Sequence, residues 1–415
     1  MRWYEMGHFI TKIQIDKLRH LSDIEISLKE EERQHLLITG KNGSGKTTLL
    51  LALKQYLSAI NDNHLDDIKH FYKEQIFKRD EELQKASTEE EKFEIEQKYS
   101  FSTRMMNQYK NGIEVEFAGE KDLDAYYAQG KFITAFYAAN RKTDIIRPSG
   151  VENVKLEDVY GVNADPGNVL LKYMVHLKTQ QSYARNEGDA ETANRIQKWF
   201  ERFEYALQVL LDEDSIKLEY DYREYNFKIH EKENKVFGFD ELSDGYSAVI
   251  YIVSDLILRM DKNWILGDSL SEYNMEGIVL IDELETHLHI ELQKKILPFL
   301  TKFFPRIQFV VTTHSPYILN SISNAKAFDL EKCVELENLS FYSADGLAES
   351  YFDMDEYSDE LKNKVQRYAL LVHKKNITEE ERAERAKLRV ELKNIPQGLA
   401  TEARNTFEEI ERHRL

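Results

Sequence analysis

The stretch Gly40-Lys41-Asn42-Gly43-Ser44-Gly45-Lys46-Thr47 carries the chemistry around which this chain is organised. Gly40, Gly43 and Gly45 permit left-handed or closely approached backbone, so successive N–H groups can point inward at phosphate oxygens. Lys46 can then reach β- and γ-phosphates, and the Thr47 hydroxyl can ligate magnesium. A second chemical pair, Asp282-Glu283, ends the apolar run Ile278-Val279-Leu280-Ile281. There Asp282 fits the magnesium-side carboxylate, and Glu283 the group that orients and polarises an attacking water. His314 follows another apolar run, Ile307 to Val311, where an imidazole can donate a hydrogen bond to charge developing on a γ-phosphate. Ser243-Asp244-Gly245 precede the apolar segment Val249 to Val253. Ser243 would cap that helix and Gly245 would leave its first N–H groups open, which makes a second phosphate-binding surface.

These groups need elements to position them. Leu36 to Thr39 reads as a short buried strand, and the helix starting near Lys46 adds its partial positive end to the glycine-rich turn. Phe9 to Ile15 and Ile24 to Leu28 alternate in polarity, which predicts an antiparallel β-layer, with Arg19 in the turn between them. From Asp62 to Tyr109 the chain is charged, with apolar residues at helical spacing, and lacks proline and glycine. Ser87-Thr88, followed by Glu90-Glu91, reads as a capping box that splits this segment into two antiparallel helices, each arm about 35 Å long. Gly112 to Phe117 and Lys131 to Tyr137 read as strands, the second ending in Asn140-Arg141, whose side chains would face a ligand crevice. Gly167 to Leu211 reads as helical, and Ile216 to Tyr220, Tyr225 to Ile229 and Val236 to Phe239 as strands. The tail from about Ser358 is charged and helical, with Thr378 and Glu381 as a further capping box.

At 415 residues the chain can bury a large core. The lack of a long apolar run, and of an apolar stretch at the start, predicts a soluble cytoplasmic protein with no membrane partner. Its net charge of −18 opposes non-specific attraction to nucleic acid over most of the surface but leaves room for a local basic patch. Cys333, the only cysteine, cannot form an intrachain disulfide and reads as a small core residue.

Together the motifs resemble the ATP-binding cassette superfamily, in the soluble branch of RecF-type, OLD-type and SMC-type ATPases. Gly40 to Thr47 looks like Walker A, Leu242 to Tyr246 like the signature motif with Asp244 in place of a common glycine, and Ile278 to Glu283 like Walker B. His314 takes the switch-histidine position, and Glu285-Thr286-His287-Leu288-His289 resembles the adjoining Glu-x-His-Leu-His stretch. His287 and His289 therefore read as a conformational linker rather than a metal site. The glutamine expected after the strand near Tyr137 is replaced by Asn140-Arg141. Asp353-Met354-Asp355 mimics the paired aspartates of an OLD-type nuclease, but no apolar strand precedes it.

The resemblance implies an α/β P-loop head, residues 1–61, 111–165 and 213–330, interrupted by a helical hairpin at 62–110 and a helical subdomain at 166–212. Residues 331–415 would form a mostly helical docking region. It also implies ATP and Mg2+ as ligands, with Thr47 and Asp282 on the metal and Lys46, Glu283 and His314 as the catalytic set. Gly40, Asn42, Gly43, Ser44, Gly45, Lys46 and Thr47 of one chain, with Ser243, Asp244 and Gly245 of another, would hold the nucleotide, so a homodimer is the minimum. The function this suggests is an ATP-hydrolysing switch of a bacterial antiphage defence system, Septu-type or PARIS-type, acting on a separate nuclease or toxin effector and lacking a nuclease centre itself. Two other readings are a RecF- or SMC-like DNA-repair ATPase, with nucleic acid as partner, and an ATP-bound scaffold with little turnover.

Overall fold

The computed structural model describes residues 7–140, 146–232, 235–265, 275–336, 339–344, 346–347, 359–374, 376–394 and 401–412. Arg141 and the Asp353-Met354-Asp355 stretch lie outside them. The chain divides into two compact units, Met1–Phe341 and Tyr342–Leu415.

The first unit opens with β1 (Phe9–Leu18) and β2 (Leu21–Ser27), joined by the tight turn Arg19-His20. Arg19 is in the left-handed region at φ 54°. Alternation buries Ile13 and Ile15 on one face, and β1 pairs antiparallel with both β2 and β4 (Ile113–Ala118). Between these two edges of the layer the chain enters β3 (His35–Thr39), turns through the glycine-rich loop and starts α1 (Lys46–Asn61).

The segment after α1 is a pair of packed helices. A π-helical turn at Asp67–Phe71 leads into α2 (Tyr72–Lys85), and α3 (Glu89–Tyr109) starts at a reciprocal capping box between Thr88 and Glu91. The arms are tied by Arg79 Nη1 donating to Thr103 Oγ1 at 3.0 Å and Tyr99 Oη donating to Glu82 Oε1 at 2.8 Å.

After α4 (Glu120–Ala128) and β5 (Phe132–Tyr137), α5 (Leu170–Asn186) and α6 (Ala190–Leu211) pack around Trp199, Phe200 and Phe203. A small antiparallel sheet follows, β6 (Lys217–Asp221), β7 (Asn226–His230) and β8 (Val236–Gly238). Then come α7 (Asp244–Ile265), β9 (Glu276–Ile281), α8 (Ile290–Phe303), β10 (Ile307–Thr312), the short α9 (Pro316–Leu319), β11 (Ala325–Asp329) and β12 (Val334–Leu336).

The main sheet has the order β12-β11-β3-β10-β9-β5, parallel throughout except for the antiparallel edge strand β12. Every residue of β3, β9 and β10 is buried, as strands covered on both faces must be, which explains their mostly apolar sequences; the polar His35, Glu276 and Gln308 among them are hydrogen-bonded. Cys333 departs from the expectation of a core position. It is exposed, at φ 52°, in the turn between β11 and β12. A two-stranded edge turn offers it no second layer to pack against.

The second unit contains α10 (Asp359–His373), α11 (Glu379–Lys393) and α12 (Thr401–Arg412). They bury Tyr368, Leu371, Leu388, Leu392, Phe407 and Ile410 against one another. Thr378 and Glu381 form the capping box that starts α11.

Candidate nucleotide-binding site

Because β3, β10 and β9 are neighbours in one parallel sheet, the loops after them leave from the same edge, where open α/β sheets bind ligands. The Thr47 Oγ1 hydroxyl therefore lies 3.1 and 3.0 Å from the two carboxylate oxygens of Asp282. Thr312 completes the link. Its hydroxyl donates to Asp282 Oδ1 at 2.6 Å and accepts the main-chain N–H of Glu283 at 2.8 Å. The Asp282 N–H itself donates to Tyr137 O at 2.8 Å, which extends the ladder past the end of β5.

Lys46 is 6% exposed, and its Nζ donates to Gly40 O at 2.8 Å and Lys41 O at 3.1 Å. Burial lowers its pKa, opposed by the carboxylates of Glu283, Glu285, Asp282 and Asp329. Gly45 sits at φ 101°, and a Cβ there would come within 2.9 Å of Leu21 Cδ1. Glycine is thus required both by conformation and by the β1–β2 turn packed against it. Glu283 adopts φ 45°, a conformation that costs a non-glycine residue about 1–2 kcal/mol.

His314 is half-buried, and its pKa is lowered by desolvation and by Lys46, against the opposing pull of Glu285 and Glu283. The ring is held neutral near pH 7, with one nitrogen able to donate. Its Nε2 and the Ser44 hydroxyl are both buried with no hydrogen-bond partner. Buried polar atoms are normally satisfied, and phosphate oxygens would satisfy these two. The donor set thus fits a nucleotide triphosphate. The Thr47 and Asp282 oxygens, a hydroxyl and a carboxylate facing each other, fit a hard divalent cation such as Mg2+.

The Ser243-Asp244-Gly245 segment starts α7, and Ser243 O accepts the N–H of Ser247 at 2.9 Å. Ser243 and Asp244 are exposed; Gly245 is buried. Gly245 has a packing reason absent from the sequence reading, because a Cβ would lie 2.5 Å from His287 O. His287, at φ 66°, and His289 are exposed, and no group of three or more His, Cys, Asp or Glu among the described residues could hold a metal. Asn140 is exposed in the bend after β5.

Besides Thr312, four residues around the site carried no role in the sequence. His20 Nε2 lies 3.2 Å from Ser44 O. Glu285 accepts the Thr313 hydroxyl at 2.7 Å and the His314 N–H at 2.5 Å. Beyond β11, Asp329 Oδ1 accepts the N–H of Glu331 at 2.7 Å, and Glu331 pairs with Lys41 Nζ at 3.0 Å. The signal for Glu285 was its place two residues after Glu283; no local pattern marked His20, Asp329 or Glu331.

Two AAA domain family models match, one over residues 9–100 and one over 184–320, the second linked by its description to the AbiEii toxin of Type IV TA systems. The Septu protein PtuA of Bacillus mycoides (strain KBAB4) is 25% identical over 92% of this chain and 50% of its own length. The chain thus spans about half the length of that relative. The Retron Vc95 probable ATPase of Vibrio cholerae serotype O1 biovar El Tor is 24% identical, covering 72% of this chain and 69% of that protein. The Retron Ec83 probable ATPase of Escherichia coli is 36% identical over 23% of this chain and 17% of its own length. Among solved structures, an Smc head bound to the C-winged helix domain of ScpA aligns with 80% of this chain and 100% of its own at TM-score 0.41 and 11% identity. Site geometry and relatives agree in that this chain resembles the ATPases of antiphage defence systems.

Proposed function

We propose that this protein is a cytoplasmic, homodimeric switch of a bacterial antiphage defence system, which binds and hydrolyses ATP to control a separate nuclease or toxin effector. The observation that carries the reading is the contact of Thr47 with Asp282 at one end of three adjacent strands, with His314 following the third of them and its Nε2 buried and unpartnered. The names of the Septu and retron relatives supply the defence context.

In this reading the N–H groups of Gly40 to Thr47 cradle the phosphates, and Lys46 leaves the carbonyls of Gly40 and Lys41 for the β- and γ-phosphate oxygens. Thr47 and Asp282 would hold Mg2+, which supplies neutralisation of phosphate charge when bound. Glu283 accepts the proton of the attacking water. His314, neutral, donates from Nε2 to the γ-phosphate as charge builds there. Ser243 is exposed at the start of α7, so in this reading the N–H groups there serve the phosphate held by a second copy. Closure then requires ATP, and hydrolysis separates the copies.

The test pairs two variants. Glu283→Gln should keep ATP binding and lower hydrolysis by about 10²–10⁴-fold, and should accumulate as an ATP-dependent dimer in sedimentation velocity. Ser243→Arg should bind ATP as a monomer. Hydrolysis unchanged in Glu283→Gln would defeat the catalytic reading. A Ser243→Arg protein that still dimerises on ATP would defeat the shared-site reading alone.

A further inference from the structure

A groove of about 490 Å³ lies between the C-terminal half of α6 and the length of α8. Its floor is built from Val209, Leu210, Pro298 and Phe299, and Tyr205 stands at its lip. Tyr205 is 50% exposed and Val209 39%. Around this apolar floor the lining is cationic, with Arg202, Lys294, Lys295 and Lys302 against the single acid Asp212. On a chain of net charge −18 such a cluster is a local inversion of sign.

Two of the lysines form ion pairs at the surface, and Lys294 also lies over the Tyr317 ring at 5.3 Å. Lys295 pairs with Asp212 at 2.9 Å and Lys294 with Glu291 at 3.2 Å, with all four side chains well exposed. Ion pairs of that kind are worth about 0–1 kcal/mol, so a carboxylate arriving from another molecule can replace them at little cost. The stretch Arg202–Asp212 extends along α6 for about 15 Å at ~1.5 Å per residue. That length matches about three turns of a guest helix laid between two host helices, a recurring way to bind a peptide.

We propose that this groove docks an acidic amphipathic helix of a partner protein. Leu or Phe side chains spaced i, i+3/i+4 and i+7 would fill the floor, and flanking Glu or Asp would meet Lys294, Lys295, Lys302 and Arg202. Charge complementarity sets the sign of the partner, and the apolar floor sets its class. A nucleic acid would satisfy the cations but would lay a solvated phosphodiester over Val209, Leu210 and Phe299, which offer it no hydrogen bond. The inference is independent of the nucleotide site, because no groove residue belongs to it.

The experiment uses the full chain and a fluorescein-labelled helical peptide of about 15 residues, with Leu and Phe on one face and Glu on the other, read by fluorescence anisotropy. A Lys-for-Glu version of the peptide and a labelled single-stranded oligonucleotide are the comparison probes. The acidic peptide should bind, more weakly as salt rises, and Lys302→Glu and Val209→Asp should each weaken it by about tenfold or more. Both substituted side chains reach solvent, so thermal melts and ATP binding should match the parent chain. The proposal is overturned if the acidic peptide does not bind, if both variants bind it as the parent does, if the Lys peptide binds equally well, or if the oligonucleotide displaces it.

Discussion

Glu285 fastens His314 to the strand that carries Glu283. Its Oε1 accepts the His314 N–H at 2.5 Å, and its Oε2 accepts the Thr313 hydroxyl at 2.7 Å. The position of the imidazole is therefore set from the end of β9 as well as from β10. Glu285→Gln replaces one acceptor oxygen by an N–H that faces a donor, and loses a charge-assisted bond worth about 1.5–3 kcal/mol. Because the phosphate loop is untouched, kcat for ATP hydrolysis should fall by about ten- to hundredfold with KM nearly constant. Steady-state kinetics on the purified variant decides it: a matched rise in KM, or an unchanged kcat, would show that Glu285 only supports the fold.

The reach of the sequence ended where contacts became non-local. The glycine spacing in Gly40 to Thr47 and the runs Ile278 to Ile281 and Ile307 to Val311 marked their strands directly, because a parallel sheet covered on both faces favours apolar residues and admits a polar one such as Gln308 only where it is hydrogen-bonded. The capping boxes at Thr88 and Thr378 were equally plain, since all their partners lie within three residues. Thr312 was not legible as the bridge between Asp282 and Glu283, because it meets them across 30 positions of sequence and by strand order alone. Cys333 was misjudged by residue type, although Glu331, Lys332 and Glu335 around it spell a turn.

The left-handed backbone at Glu283 sets stability against turnover. Glu283→Gly would relieve about 1–2 kcal/mol of strain at φ 45° and add about 0.5–1 kcal/mol of chain entropy cost. The balance favours the variant, so its urea midpoint should rise by the equivalent of about 0.5–1 kcal/mol, while hydrolysis is lost. A midpoint that falls would mean that the carboxylate bonds from Thr286 and its neighbours outweigh the strain.

Asp261 gives the chain a titration of its own. It is fully buried with the Tyr173 hydroxyl donating to it, and burial pushes its pKa up to about 7. The folded carboxyl holds its proton where the unfolded one, near 3.9, has lost it. Its contribution to stability is therefore complete below about pH 4, declines as pH rises, and is gone above about pH 7. Between pH 5.5 and 8 the parent chain should lose about 2 kcal/mol from this group alone, at ~1.36 kcal/mol per pH unit below the folded pKa. Asp261→Asn should lack that component. Urea unfolding of both proteins at the two pH values measures the difference, and parallel pH dependence would rule the assignment out.

The largest single cost is expected at Arg259. It is 2% exposed and pairs with the fully buried Asp255, Nε to Oδ2 at 2.6 Å, one helical turn away on α7. Its Nη1 donates to Thr134 O at 2.9 Å and Gly161 O at 3.0 Å. Asp255 also accepts the Tyr137 hydroxyl at 2.6 Å and the Gly167 N–H at 3.0 Å. Since Tyr137 O in turn holds the N–H of Asp282, the cluster connects the helix that Ser243 begins to the carboxylate beside Thr47. Arg259→Met would leave Asp255 charged and buried without its cation, a loss of about 3–5 kcal/mol. Adding Asp255→Asn removes that stranded charge, so the double variant should recover part of the loss and fall short of additivity. Chemical denaturation of the two single variants and the double closes the cycle. Strict additivity would mean that the two residues act through separate neighbours rather than through each other.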